Sequence, residues 1–364
     1  MIRKTGISIL MLLLSYAGFA QYNQAARQRR DSVRAQYIEE FPDDFSIWPL
    51  LKYRALSFTI SDKNQDKPAM VFNPNNDFKV GAGFYLFELS FEVSISVPIA
   101  VRDESIYGTS KATDLQINML TKSFGLDLYY QKYSGFYKDD EGVKIPPGIA
   151  YPLRPDIVTR NLGVSAFYVW NNGKFSIRSS YNYADRQKKS AGSFILYGTI
   201  NSFTLGADSA IISNNKQAEY GSYTDFSHLR YTTFSLAPGY SYNLVLKRVF
   251  VNGTFAIGPA HHWVYYRPEN GRGHYDVIFN SSYTFRLATG YSGHRFFTGA
   301  GIVIQSRVLK FQDIRFENST SVFRLLVGYR FREELGFDQY DAVEILPVSR
   351  SPASRTTPHR RQGR

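Results

Sequence analysis

The sequence predicts an all-β chain, a transmembrane antiparallel up-and-down β-barrel of about 12–14 strands, and three observations carry that expectation. Apolar and polar residues alternate with period two in many separate segments. Aromatic residues make up 16% of the chain, yet mean hydropathy is slightly negative. After the first twenty residues, no apolar run reaches the ~20 residues that a bilayer-spanning helix needs. A helical membrane protein does not reconcile these facts. A barrel does, because lipid-facing apolar residues alternate with polar lumen residues between aromatic girdles.

The chain begins with Arg3 and Lys4, an apolar run over 7–14, and the small-residue site Gly18-Phe19-Ala20. That pattern predicts a secretory signal over 1–20, with the mature protein starting at Gln21. Residues 21–51 read as a periplasmic lead-in. Its first part, with Arg27, Arg29, Arg30 and Arg34, suits a short helix; its second carries Glu39, Glu40, Asp43 and Asp44 and ends at Trp48-Pro49.

The barrel is expected over 52–331. Its clearest strand is Leu89-Ser90-Phe91-Glu92-Val93-Ser94-Ile95-Ser96-Val97, where every odd position is apolar and every even one polar. This places Phe91 and Val93 toward lipid and Glu92 toward the lumen. The same period recurs over 115–119, 126–130, 234–244 and 323–331, and in Phe175-Ser176-Ile177-Arg178. Tight turns are expected at 87–88, 121–123, 171–173, 246–248 and 292–294, and Asn172-Gly173 is a strong hairpin signal. Longer polar connections fall at 61–77, 98–112, 134–156, 184–192, 266–275 and 308–318. Short turns then belong to the periplasm and long loops to the outside. A direct count finds thirteen strands, but a bacterial single-chain barrel has an even number. A hidden strand in the poorly patterned stretch 205–228 would make fourteen; omitting 53–60 would make twelve.

Residues 332–364 combine Pro347, Pro352 and Pro358 with scattered arginines, and predict a disordered basic tail. The tail also explains much of the net charge of +12. Two of those charges lie in the first twenty residues and five in 350–364, which leaves +5 for 21–349. The remaining mixture of signs offers no phosphate-tracking stripe, so no nucleic-acid partner is expected. Cysteine is absent, which excludes disulfides, thiol catalysis and Cys-ligated metal, and also a lipid-modified cysteine at the mature N-terminus.

Alternation puts Glu92, Asp127, Arg178, Arg286, Arg324 and Arg330 on the lumen side. They could form a solute-selecting constriction. Their mixed signs better suit an internal network of ion pairs filling a narrow barrel. His261 and His262 are adjacent on a strand and so point to opposite faces, which argues against a shared metal. His228, His274 and His294 read as loop or interfacial residues. Asp139-Asp140-Glu141 lacks the spacing of a calcium loop, and Gly81-Ala82-Gly83 lacks the setting of a nucleotide fingerprint and reads as a bend or close approach. No catalytic residue, metal or cofactor is expected.

Several runs resemble the family of uncharacterised outer-membrane barrels called domain of unknown function 4421. They are Phe72-Asn73-Pro74-Asn75 with Gly81-Ala82-Gly83-Phe84-Tyr85, Tyr107-Gly108 with Thr113-Asp114-Leu115-Gln116, Leu126-Asp127-Leu128-Tyr129-Tyr130-Gln131 with Gly135-Phe136-Tyr137, Gly192-Ser193-Phe194, and Pro238-Gly239-Tyr240-Ser241-Tyr242-Asn243. The likeness covers most of 37–335 and implies a barrel of unknown role, with no catalytic residues to carry across. The leading expectation is therefore a non-enzymatic protein of a Gram-negative outer membrane: a narrow channel, a structural envelope protein, or the membrane part of an assembly. Its partners would be outer-membrane lipid and, for the basic tail, the cell wall or a periplasmic protein. The alternatives are an enzyme acting on lipid or peptide at the barrel rim, and a surface-binding protein using its external loops.

Overall fold

A computed structural model describes residues 24–332, apart from 42–43, 76–77, 87–88, 98–101, 269–270 and, between 214 and 223, all but Gln217 and Tyr220. The expected signal over 1–20 and nearly all of the expected tail over 332–364 lie outside the described residues, as does the turn at 87–88.

Strands β2 (Asp44–Asp62), β4 (Phe78–Leu86), β5 (Leu89–Val97), β6 (Lys111–Leu120), β7 (Phe124–Asp140) and β8 (Leu153–Val169) form the first half of the barrel. The second half is β10 (Ala191–Gly206), β11 (Phe226–Leu246), β12 (Val249–Pro268), β13 (His274–Ser292), β14 (Phe296–Phe311) and β15 (Ile314–Arg332). Each pairs antiparallel with its neighbour in this order, and β15 pairs back onto β2 from Ile314↔Asp62 to Arg332↔Asp44. Twelve strands thus close a ring, whose shortest seam is β5–β6, paired only at Leu89↔Met119, Ser90↔Asn118 and Phe91↔Ile117. A short β3 (Met70–Asn73) bridges β2 and β7 above the ring. Before the barrel, α1 (Gln24–Tyr37) runs into β1 (Ile38–Glu40), which pairs with β9 (Asp185–Gln187). The remaining helices are single turns, α2 (Glu104–Tyr107) and α3 (Arg178–Tyr181).

The outward face repeats what the alternation predicts. Val93, Ile95, Leu115, Phe194, Leu236, Phe255 and Val327 are all exposed, with Val93 at 65% and Phe194 at 69%. Contiguous apolar surface on this scale marks a lipid interface. On three strands the band runs over 162–170, 234–246 and 323–331, close to the ~9–11 residues that a tilted strand needs to cross a membrane. Yet β11 has 21 residues and β12 has 20. Away from the termini the wall therefore continues beyond the band, where its outer face is mixed: Arg315 pairs with Glu317 at 2.7 Å on β15, while Tyr275, Val277 and Phe279 are exposed on β13.

The inward face is layered, and β2 shows the layers in one strand. Trp48 and Leu50 lie nearest the termini, Lys52 and Arg54 at mid-height, and Leu56, Phe58 and Ile60 at the far end; all seven are buried. Gly83 accommodates the first layer, because a Cβ there would overlap the Trp48 ring. This is the close approach expected of the Gly81-Ala82-Gly83 run.

Four sequence expectations are corrected. Residues 175–178 are not a strand and Asn172-Gly173 does not close a hairpin: the β8–β10 connection spans 170–190 and folds into the lumen. Phe175, Ser176, Ile177 and Arg178 are all buried, so the local alternation never separates a dry face from a wet one. Residues 205–228 hold no hidden strand between Gly206 and Phe226 among the described residues. The count of twelve comes from losing 175–178, while 53–60 remains a strand. The connection expected outside at 184–192 lies at the end of the barrel that carries both termini, and that expected at 308–318 shrinks to Gln312-Asp313. Barrel strand also begins at Asp44 rather than 52, so Trp48-Pro49 belongs to the wall.

Candidate functional site: a closed polar lumen

At mid-height the lumen carries charge from eight strands. Arg54 pairs with Asp114 at 2.8 Å and Lys79 reaches the same carboxylate at 3.5 Å. Arg324 pairs with Glu92, which Lys52 approaches at 3.9 Å and the Trp48 indole N–H at 3.4 Å. Across the barrel Arg286 sits 3.5 Å from Asp127 and 4.0 Å above the Tyr181 ring. Arg307 donates to the Tyr129 hydroxyl at 3.2 Å. A cavity of about 140 Å³ lies among them, lined by Lys52, Arg54, Glu92, Asp127, Arg286 and Arg324 among others.

The end carrying the termini is closed by the 170–190 segment. Its tip enters between the strands and is held by side chains donating to its backbone: Arg330 to the Tyr183 carbonyl at 2.6 Å and Arg324 to the Tyr181 carbonyl at 2.6 Å. Asn182 donates to Ser90 at 2.9 Å, and the Tyr183 ring stacks on Phe297 at 4.9 Å. Gly299 makes room for this ring, since a Cβ there would overlap the Tyr183 hydroxyl. Within the plug, fully buried Asp185 takes Arg178 at 2.6 Å, Arg34 of the lead-in at 3.1 Å and the Ser176 hydroxyl at 2.5 Å. A buried carboxylate needs such partners to remain charged.

The lead-in clasps the plug from below. β1 and β9 align Ile38↔Gln187 to Glu40↔Asp185, Arg186 pairs with Glu39, and Arg34 donates to Glu40 and to the Asn172 carbonyl. Lys122, on the turn between β6 and β7, reaches Glu40 at 2.9 Å. Burial opposes ionisation of Glu40, but Arg34 and Lys122 outweigh it and hold the carboxyl below its ordinary value.

The opposite end is closed by a different material. Phe58, Phe72, Phe203, Tyr231, Phe311 and Phe316 form the centre of an apolar core inside the barrel. Ile211 and Ile212, from the connection after β10, are fully buried within it. Phe58 stacks on Phe72 at 4.6 Å and on Phe316 at 5.7 Å.

Of the six charged residues singled out in the sequence, Glu92 and Arg324 meet directly, Asp127 and Arg286 form a second pair, and Arg330 grips the plug. Arg178 also lies inside the barrel, but on the plug rather than a strand. Sequence reasoning missed Lys52, Arg54, Lys79, Asp114 and Asp185. The signal for the first two was the even-numbered series from Trp48 to Ile60, which the charges interrupt without breaking its period.

His262 is buried beside Thr233 at 2.8 Å, whereas His261 packs on Trp263 at 4.5 Å, so the two face apart. His294 meets Glu39 at 3.0 Å, His228 meets Ser227 at 2.9 Å, and His274 stacks on Tyr266 at 5.4 Å. Asp140 pairs with Lys138 at 3.3 Å and Glu141 accepts the Ala69 N–H at 3.2 Å, which gives this acidic run local structural partners.

Structural similarity is found to outer-membrane barrels. The outer membrane protease OmpT of Escherichia coli aligns over 80% of this chain and 98% of its own, with 9% identity and a TM-score of 0.38. The attachment invasion locus protein Ail of Yersinia pestis aligns over 57% and 97%, at 14% identity and TM-score 0.23. The transport unit of the Escherichia coli autotransporter AIDA-I aligns over 85% and 98%, at 7% identity and TM-score 0.28. No curated protein matches the chain in sequence. A family profile does match, over residues 29–331, which takes in most of the lead-in, the plug and every barrel strand but the last residue of β15: the chain belongs to the family described as Domain of unknown function (DUF4421).

Proposed function

We propose that this protein is a non-enzymatic outer-membrane barrel, closed at rest, that serves as a structural envelope protein or as the membrane part of an assembly rather than as an open channel. The observation that carries this reading is the double closure of the lumen, by an apolar core at one end and an anchored plug at the other. The exposed apolar belt supports a lipid partner, and the closed antiparallel ring supports an outer-membrane location. The two ends of the described chain and the tight turns then face the periplasm, as does the lead-in that clasps the plug, while the upper wall stands outside the cell.

Two measurements test this. The mature chain should fractionate with outer membranes and migrate differently before and after heating; recovery as a soluble periplasmic protein would sink the reading. In planar bilayers the full chain should give no steady conductance, whereas replacing 174–189 with a short flexible linker should give more frequent openings. Steady ohmic conductance by the unaltered chain would restore the channel reading. Lipid or peptide hydrolysis by the same preparation would return the enzyme alternative.

A further inference from the structure

We propose that the seam between β5 and β6 is a lateral entry through which the polar head of a bilayer phospholipid reaches the mid-height cavity. The inference goes beyond the function proposed above but rests on its double closure, because a lumen filled at both ends leaves the wall as the remaining route. β5 runs from Leu89 to Val97 and β6 from Lys111 to Leu120. Among the described residues they pair only at Leu89↔Met119, Ser90↔Asn118 and Phe91↔Ile117. Each is held along its whole length on its other side: β4 follows β5 from Phe78↔Val97 to Leu86↔Leu89, and β7 follows β6 from Lys111↔Ser134 to Leu120↔Gly125. The β5–β6 hairpin is therefore split over 92–97 and 111–116, between two intact ladders and on the side away from the termini.

Two opposed environments meet at the split. On the outside Val93, Ile95 and Leu115 are 65%, 68% and 62% exposed, which sets it at the level of the apolar belt. On the inside Glu92 and Gln116, one on each lip, both line the cavity, which is only partly enclosed. The polar groups behind the split are already held in place: Gln116 accepts from Arg54 at 3.1 Å and from Lys52 at 3.5 Å, and Glu92 pairs with Arg324. Strand edges that stop pairing in hydrocarbon leave peptide N–H and C=O groups without partners, which is costly. A phospholipid answers both environments. Its phosphate and ester oxygens accept from the N–H groups, the water it carries donates to the C=O groups, and its acyl chains stay outside against Val93, Ile95 and Leu115. A tailless solute would not gather at the belt, and a headless hydrocarbon would leave the edges unsatisfied. A compact head also passes between two strands more readily than a saccharide.

The test exploits the absence of cysteine, since Gln116→Cys gives the full chain a single thiol behind the seam. The protein is placed in vesicles of phosphatidylethanolamine and phosphatidylglycerol that carry some phospholipid with a maleimide on its head. The thiol should couple, and the protein should gain the mass of one lipid. A sulfonated, water-soluble maleimide should react severalfold more slowly. The lipid reagent should also react severalfold more slowly with Ser165→Cys, which lines the same cavity from β8. If Gln116→Cys fails to assemble, judged by heat-modifiable migration, the near-isosteric Ser90→Cys replaces it, because Ser90 lines the cavity from β5. No lipid adduct behind the seam, with the soluble reagent excluded as well, would overturn the lateral entry alone. Equal lipid coupling at Ser165→Cys would overturn it too, because the seam would then confer no preference. Rapid labelling by the soluble reagent would instead reveal an axial route and sink the closure on which the inference rests, so the two failures are distinguishable.

Discussion

At the end away from the termini the lumen is filled mainly by apolar side chains of the strands, joined by Ile211 and Ile212 of the connection after β10, whereas at the other end it is filled by a separate segment that combines apolar packing with discrete polar contacts. Phe58 and Phe316 are part of the wall and cannot leave without unmaking it, and Phe72 on β3 stacks on Phe58. The plug is covalently a single connection: Phe175, Ile177, Tyr183 and Ala184 pack against the wall, and its polar attachments are discrete, with carbonyls 181 and 183 held by arginines and Asp185 held by Arg34 and Arg178. Local opening has a free energy set by how much apolar surface and how many bonds one segment must give up. The first end should therefore open only with global unfolding, and the second can open while the barrel stands.

The largest effect should come from Phe58→Ala. Removing a fully buried ring from the apolar core costs about 3–5 kcal/mol, so the barrel should melt at lower temperature without gaining conductance. If instead the variant conducts while its melting is unchanged, the apolar end is a gate and the contrast between the ends is lost.

Arg330→Ala addresses the plug. It strips donors from the carbonyls of Tyr183, Gly293 and His294, and leaving buried acceptors unpaired costs about 1–3 kcal/mol. Current bursts in bilayers should become more frequent while barrel melting changes less than for Phe58→Ala. Silence in the bilayer together with a strongly lowered melting temperature would mean that the plug is as integral as the core.

The smallest effect concerns the clasp. Because the folded-state value of Glu40 is depressed, ionised Glu40 stabilises docking above its ordinary value of 4.5, and that contribution is lost as pH falls through the lower folded-state value. Amide exchange over 30–40 should accordingly be unchanged in relative protection from pH 8 to 5 and should lose protection at more acid pH. Loss of protection already between pH 8 and 6 would point to a different titrating group. Glu40→Gln should bring the acid-loosened behaviour to neutral pH, with the barrel strands unaffected.

Much of the wall was legible because strand alternation is a local property. Glu92, Asp127, Arg286, Arg324 and Arg330 follow from the phase of their own strands, which a one-residue slip would turn outward as a set. Lys52 and Arg54 obey the same phase, but their partners Glu92 and Asp114 lie 40 and 60 positions along the chain, beyond the reach of any local period. The plug was misread for a physical reason. Four alternating residues carry the same period whether one side faces lipid or, as for Phe175 to Arg178, every side faces protein.

By itself the sequence determined the all-β class, the alternating faces, the tight turns that β strands here share, and the even parity that a closed ring demands. These depend on neighbours two residues apart and on the requirement that no ladder end in lipid. Only the tertiary structure decided that the ring has twelve strands, that one connection turns inward, and that Asp185 meets Arg34 across 151 positions of chain. Such contacts depend on which unpaired carbonyls, rings and charges a connection finds when it folds back. No local period encodes that encounter.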